Sequence, residues 1–392
     1  MARYSVMNPG KYHLGTPFTF PPLQNRTYNE KFIIKDIKWK TSVLLNRRMY
    51  LGNVQIRDVN NTVKVLSDSI LKSKTNKFDS FTLDRRIDVA IGDGDEIIKL
   101  ATFADRLLQF KQNILHIINA TRSTEFLEQS YKFKGVSHAS AVCTTEYGVA
   151  WCNSHGACMY DGERVQELLV REGVRLISDE DWSNFYVEGE TMVSYVPKTK
   201  QLLFIRGNNS STDNIGNVMI YNLALRSWTR GTGRLDEADK SNLINIWDGR
   251  PSWARAEGGS VTIFPWDPNA AALINNFKIE TKEMNFGTQT KKKIIKLNLT
   301  YKGGSSGNTN VLPKYAVDNG GFSNSFKDSS GTTITNIPYS SDWAEISLYT
   351  DSSNAGSVRS FALQLTDVSG ANVVSDFEIN DMTVIYRRKS IK

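Results

Sequence analysis

Residues Tyr147 to Gly162 read YGVAWCNSHGACMYDG. Two short apolar runs, Gly148 to Cys152 and Ala157 to Tyr160, flank a polar step from Asn153 to Gly156, and an aromatic-Asp-Gly closes the stretch. Runs this short, broken by Asn and Gly, read as the two strands of a β-hairpin rather than as a helix. Gly156 is placed to take the positive φ that a tight turn needs. The same stretch raises a second question. Cys152, His155 and Cys158 stand at three-residue steps in a chain with only three cysteines and four histidines. Zinc wants four such ligands, and the other candidates nearby are Cys143 and His138. Register separates the readings. An even loop opposes Trp151 to Cys158 and puts the thiols on opposite faces, whereas an odd loop sets the thiols across from each other with His155 at the tip. A free cysteine also behaves as a small hydrophobe, so the expectation is a plain hairpin with no metal and no cofactor.

Similar hairpins lie on either side. In Asp105 to Asn119, DRLLQFKQNILHIIN, the break falls at Gln112-Asn113. In Met192 to Gly207, MVSYVPKTKQLLFIRG, Pro197 to Lys200 makes the turn, and in Val218 to Gly231, VMIYNLALRSWTRG, the turn is Leu223 to Arg226. The first three start roughly 40 to 45 residues apart, which is the spacing of β-propeller blades of four strands each. The last two are closer and read as the halves of one blade. Helical periodicity is scarce, the best candidates being ERVQELLVREGV from Glu163 and RLDEADKSNL from Arg234. After residue 276 the texture changes to strands such as KKIIKLNLTY and FEINDMTVIYRRK, separated by Ser/Gly/Asn-rich loops such as GGSSGNTN. That pattern suits an antiparallel sandwich. The fold expected is all-β: an irregular segment 1–30 carrying four prolines, a β-propeller of five to six degenerate blades over 31–276, and a C-terminal β-sandwich over 277–392.

Composition narrows the function. The chain has 392 residues, 40% apolar and 23% charged, with a net charge of +7. An odd, small number of cysteines fits a reducing compartment. There is no apolar run of the roughly 18 residues that a spanning helix needs, and the start lacks the apolar middle of an export signal. The charge is spread along the chain, which permits a polyanionic neighbour without writing a nucleic-acid arm. No nucleophile elbow, phosphate-binding glycine loop or Ser-x-Asp-x-Gly-x-x-Trp turn occurs, so no enzyme is expected. Clustered carboxylates in Gly92 to Glu96, GDGDE, suit calcium chemistry, but the stretch lacks a full calcium loop and reads better as an inter-strand turn. Two basic runs, Lys291-Lys292-Lys293 and Arg387-Arg388-Lys389, face a polyanion, contact another subunit or guard a sheet edge against aggregation. Trp228, Trp253, Trp266 and Trp343 read as core or interface anchors rather than as a base-stacking platform.

From Ile87 to Gly162 the chain resembles the β-propeller tail proteins of short-tailed bacteriophages, the tail nozzle or hub proteins, some known as packaged-DNA stabilisation proteins. The resemblance rests on Phe110-Lys111 before an apolar strand and Asn119, on a Gly135 to Ser137 turn, and on the hairpin ending in Tyr160-Asp161-Gly162. IETKEMNFG, KLNLTYKG and the closing FEINDMTVIYRRKSIK agree in outline. The resemblance implies a virion component made in the host cytoplasm. Such proteins form a homo-oligomeric ring, typically of six copies, below the portal and adaptor, and the ring encloses the channel for double-stranded DNA. Contact with DNA in transit would then be independent of sequence. The alternative is a binding propeller, kelch-like or carbohydrate-binding, that touches the host surface.

Overall fold

The computed structural model describes residues 34–58, 61–121, 124–206, 218–231, 243–247, 249–257, 260–266, 273–274, 277–368, 373–374 and 376–389. The expected irregular segment 1–30 and the helix expected from Arg234 lie outside the described residues. Two units divide the chain, Met1–Trp266 and Asp267–Lys392, and both are all-β.

The first unit is a succession of antiparallel meanders. Strands β1 (Ile34–Leu45), β2 (Arg48–Asp58), β3 (Val63–Lys74) and β4 (Lys77–Asp88) pair in chain order. Asn46 and Arg47, both at positive φ, form the two-residue turn that matches the twist of the flanking strands. Register shifts beside Asn53 and Ser73 bend these long strands. The curled sheet then closes on its own apolar cluster of Leu51, Val54, Ile56, Leu66, Leu71 and Phe81.

The second sheet is β5 (Ile97–Phe103), β6 (Arg106–Lys111), β7 (Ile114–Asn119) and β8 (Phe126–Lys132), turning at Gln112-Asn113 as expected. The third is β9 (Val142–Thr145), β10 (Gly148–Asn153), β11 (Gly156–Tyr160) and β12 (Val165–Glu167). A small hairpin follows, β13 (Val170–Arg171) with β14 (Val174–Arg175), and then helix α1 (Asp179–Phe185), capped where Ser178 Oγ accepts a hydrogen bond from Asp181 N. The helix buries Trp182 and Phe185. The fourth sheet joins β15 (Met192–Val196) and β16 (Gln201–Ile205) to β17 (Val218–Asn222) and β18 (Ser227–Gly231), so the two closely spaced hairpins are indeed one four-stranded unit. Strands β19 (Ile244–Asn245), β20 (Pro251–Glu257) and β21 (Ser260–Pro265) make a fifth sheet.

Successive sheets share apolar faces. Tyr50 and Ile70 meet Ile97, Leu100, Leu107 and Ile118 between the first and second sheets. Phe110, Trp151, Tyr160, Trp182, Tyr195 and Phe204 belong to one core running through the second, third and fourth. Val196, Leu203 and Val218 share a cluster with Trp266 beyond the fifth. First strands neighbour one another along the series, β1 beside β5, β5 beside β9 and β9 beside β15. This is the packing of propeller blades.

Glu163 to Val174 is not helical. Val165, Leu168 and Leu169 have helical spacing, but β11 leaves an open edge, and Cys158, Met159 and Tyr160 pair with Glu167, Gln166 and Val165. Glu172 and Gly173, both at positive φ, then turn the chain back. Edge pairing decides the structure here rather than local propensity.

The second unit is a β-sandwich. One sheet orders β23 (Lys278–Glu280), β28 (Phe361–Asp367), β25 (Val311–Val317) and β26 (Asn324–Ser325); the other orders β27 (Pro338–Tyr349), β24 (Lys292–Asn308) and β30 (Glu378–Arg388). Ile294, Leu297, Leu299 and Leu348 from one face pack with Val311, Tyr315, Phe361, Leu363 and Leu365 from the other. The short pair β22 (Leu273–Ile274) and β29 (Val373–Val374) also belongs to this unit, as does the one-turn helix α2 (Ser352–Ala355). The chain has therefore joined the sandwich before residue 276, and the division falls ten residues earlier than the change in texture, between Trp266 and Asp267.

Candidate functional site

Strand pairing brings the two basic runs together. Lys292 lies opposite Arg388 and Lys293 opposite Arg387, and Lys389 N donates to Lys291 O at 2.9 Å. A bridge from Lys292 to Val358 adds Arg359 on the other side. Lys291, Arg359, Arg387, Arg388 and Lys389 are exposed and Lys293 is half-buried. None of these six side chains forms an ion pair among the described residues. The neighbouring carboxylates are engaged elsewhere: Asp318 accepts from the Arg359 and Ser360 amides, and Glu283 from Ser360 Oγ and the Asn319 amide. The result is one sheet end rich in cations and able to meet phosphate oxygens.

Lys292 does not belong to that surface. It is 0% exposed, in phase with Ile294 on the core side, and its Nζ donates to the carbonyls of Thr288 (2.6 Å), Thr290 (2.9 Å) and Arg359 (2.8 Å). The expectation that all three lysines of the run face outward is corrected at this residue. Its ammonium ties three loop carbonyls together, which satisfies both the charge and the acceptors.

The hairpin question is settled by register. Trp151 opposes Cys158 and Cys152 opposes Ala157, with the two-residue loop Ser154-His155 between Asn153 and Gly156. The loop is even, the thiols point to opposite faces, and each fills a fully packed strand position. Burial pushes the Cys152 thiol far above the usual range and the Cys158 thiol up to about 11. Cys143, partly exposed, is pushed up to about 12, also by burial. Such thiols are poor nucleophiles. Among the described residues no three His, Cys, Asp or Glu side chains cluster so as to hold a metal ion.

The carboxylates of GDGDE are taken up by the protein itself. Asp93 receives Lys111 Nζ at 2.8 Å on each oxygen, and the same ammonium donates to Ala90 O at 2.8 Å. Asp95 accepts from the amides of Gln112 (2.8 Å) and Asn113 (2.9 Å), and Glu96 accepts from Lys40 and from Asn53 Nδ2. Lys111, at 0% exposure, is the counter-charge that a calcium ion would have to displace. The stretch is a clamp on the turn of the second sheet.

Those held turns build a cleft that the sequence did not announce. Gln112, Asn113, Phe133, Asn153, His155 and Glu188, with Ser137 and Tyr186, line a shallow opening of about 80 Å³. It is assembled from four separate turns, so no local pattern marks it. One signal was present: Gly135 admits no side chain, because a Cβ there would stand 2.4 Å from the carbonyl oxygens of both Lys111 and Gln112. That close approach locks the 133–137 turn against the 112–113 turn.

Three of the four singled-out tryptophans sit in apolar clusters. Trp228 packs against Trp182, Phe204 and Tyr221, and its Nε1 donates to Leu168 O. Trp253 stacks on Phe264, and Trp266 is buried. Trp343 is exposed, with the Lys302 ammonium 5.0 Å from its ring centre.

The fold and these sites define an all-β protein of propeller and sandwich units with a cationic sheet end. No family model matches the chain, and no curated protein matches it. Similar solved structures include the mitotic checkpoint complex, at 9% identity over 64% of this chain and 90% of that one, with a TM-score of 0.32. Another is the extracellular domain of a hybrid two component system from B. thetaiotaomicron, at 11% identity over 62% of this chain and 29% of that one, TM-score 0.33. A third, described as an extracellular domain of a one component system from the same organism, matches at 11% identity over 79% and 38%, TM-score 0.33. This chain thus spans less than half the length of the two bacterial chains. Among the described residues no helix is long and apolar enough to cross a membrane, which says nothing about strands.

Proposed function

We propose that this protein is a non-enzymatic structural component of a bacteriophage tail. Copies of it form a ring below the portal and adaptor, and the ring encloses the channel through which double-stranded DNA leaves. The reading starts from the resemblance carried by Ile87 to Gly162. The structural observation that supports it best is the meeting of Lys291, Lys293, Arg387, Arg388 and Lys389, without acidic partners among the described residues, at one end of a sheet. A conduit for a polyanion needs cations that neither repel it nor grip it, and fixed cations on a strand end supply contact with phosphate without reading bases. The interior residues that chemistry would need are otherwise committed: the buried thiols fill the core, and the buried lysines Lys111 and Lys292 hold turns.

Native mass spectrometry and negative-stain imaging of the purified protein test the assembly. The expected result is a closed ring, of six copies if the resemblance holds. A protein that stays monomeric at virion-like local concentrations, alone and with the adaptor, would sink the reading.

A further inference from the structure

Phe133 is placed at a cost on two counts. Its backbone sits at φ 62°, a strained left-handed conformation that a bulky side chain rarely adopts. Its ring is also 61% exposed, so it gains little from burial. The protein nevertheless fixes it there. Asn153 Nδ2 donates to Phe133 O at 3.0 Å and to Gly135 O at 2.8 Å, and the His155 ring lies 5.4 Å from the Phe133 ring. The ring forms the rim of the cleft described above.

The polar groups around that rim divide into two kinds. One kind holds the walls: Asn153 fixes Phe133, its Oδ1 accepts from the His155 amide, and Asp95 pins the amides of Gln112 and Asn113. The other kind is free. The side-chain amides of Gln112 and Asn113, the Nε2 of His155 and the carboxylate of Glu188 have no partner among the described residues, yet all four residues line the opening. Among the described residues no lysine or arginine lines it. Its one carboxylate disfavours a phosphate backbone, so this is not a second contact for DNA. What remains is an apolar ring face beside two amides, an acceptor and an imidazole, with the walls already ordered.

We propose that this cleft binds a neutral saccharide. The apolar C–H face of one pyranose unit would lie on Phe133, and its hydroxyls would exchange hydrogen bonds with Gln112, Asn113 and Glu188. A sugar ring presents one apolar face and a rim of groups that both donate and accept, which matches amides that do the same. The opening is shallow, so the glycan chain can continue to either side of the seated unit. The proposal is independent of ring assembly and of the cationic sheet end.

The test exploits the backbone of Phe133. Asparagine tolerates positive φ far better than phenylalanine, so Phe133→Asn relieves the strain while removing the ring. The full-length protein and this variant are screened on an array of neutral hexose and N-acetylhexosamine oligosaccharides, with acidic glycans and an unrelated peptide set alongside. Hits are confirmed by saturation-transfer NMR. The expected result is binding of at least one neutral oligosaccharide. Phe133→Asn should weaken it by about tenfold or more while leaving the melting temperature unchanged or raised, and Asn113→Ala should weaken it without loss of fold. Absence of any neutral hit, preference for acidic glycans or peptide, or undiminished binding by Phe133→Asn overturns the proposal. So does a lower melting temperature in that variant, since it would give the ring a structural reason to be where it is.

Discussion

At the scale of single residues, this chain puts lysine where burial is most costly and then satisfies it completely. Lys292 is enclosed by three carbonyls and Lys111 by a carboxylate and a carbonyl. Replacing Lys292 with Met keeps the length and apolar stem but strands three acceptors. Hydrogen bonds to charged groups contribute about 1.5–3 kcal/mol each, partly offset by no longer burying a charge. The expected outcome is a loss of about 2–4 kcal/mol in urea unfolding, while the exposed Lys291→Met stays within about 0.5 kcal/mol of the parent and the half-buried Lys293→Met costs less than Lys292→Met. Equal effects at all three positions would contradict the structure. The distinction was half legible. Alternation along KKKIIKLNL puts residues 292 and 294 on one side, and Ile294 marks that side as core. Nothing in the sequence, however, supplies the Thr288, Thr290 and Arg359 carbonyls that make a buried ammonium tolerable.

At the scale of elements, β6 and β7 place Gln109 opposite His116, and both are buried toward the first sheet. His116 Nδ1 meets Ser130 Oγ at 2.8 Å, while its Nε2 and both polar atoms of Gln109 have no partner among the described residues. Burial, reinforced by the Lys111 charge, holds the His116 pKa below its ordinary 6.5, and burial also lowers that of His138. The unfolded chain therefore takes up these protons first, and stability falls as pH drops below about 6.5. Glu96 and Glu128 behave differently. Lys40 and Arg106 hold them below the ordinary 4.5, so their contribution is lost only under more acidic conditions. The window from pH 7 to 5 thus isolates the histidines. The melting temperature should fall across it, and His116→Gln should shrink the fall; a flat profile in the parent protein would show that His116 is not held neutral. The strands that carry this pair were readable, because short apolar runs bracket Gln112-Asn113, and so were the hairpins at Asn153 to Gly156 and Pro197 to Lys200. Glu163 to Val174 has spacing that suits a helix, and only the open edge of β11, a tertiary fact, makes its first residues a strand. The cleft at Phe133 was illegible for a similar reason, since turns far apart in sequence build it.

At the scale of the whole molecule, two measurements separate the architecture from the proposed role. The backbone pairing of Leu273-Ile274 with Val373-Val374 assigns residues before 276 to the sandwich. A fragment beginning at Asp267 should therefore unfold cooperatively by itself, and one beginning at Phe277 should be less stable by about 1 kcal/mol, the scale of one or two net hydrogen bonds. Identical stability would return the boundary to the change in texture. The DNA measurement follows from what the sheet end is made of. Each phosphate neutralised by a cation adds about 0.9 to the slope of log affinity against log salt on duplex DNA. The exposed cations Lys291, Arg387, Arg388 and Lys389, with Lys293 half-buried, should give a weak, salt-sensitive grip with no preference among duplexes of equal length. Reversing the charge of all five, with Lys292 left in place, should reduce that slope without lowering the melting temperature. Including Lys292 would confound the result, because its loss loosens the loops and would mimic a binding defect. A conduit requires the grip to vanish by moderate salt, since a subunit that held DNA at physiological ionic strength would stop its passage once a ring multiplied the contact. Tight, sequence-selective binding that survives such salt would rule out a channel and mark the sheet end as a reader of bases. A slope unchanged by the five reversals would place the DNA contact, if there is one, elsewhere on the chain.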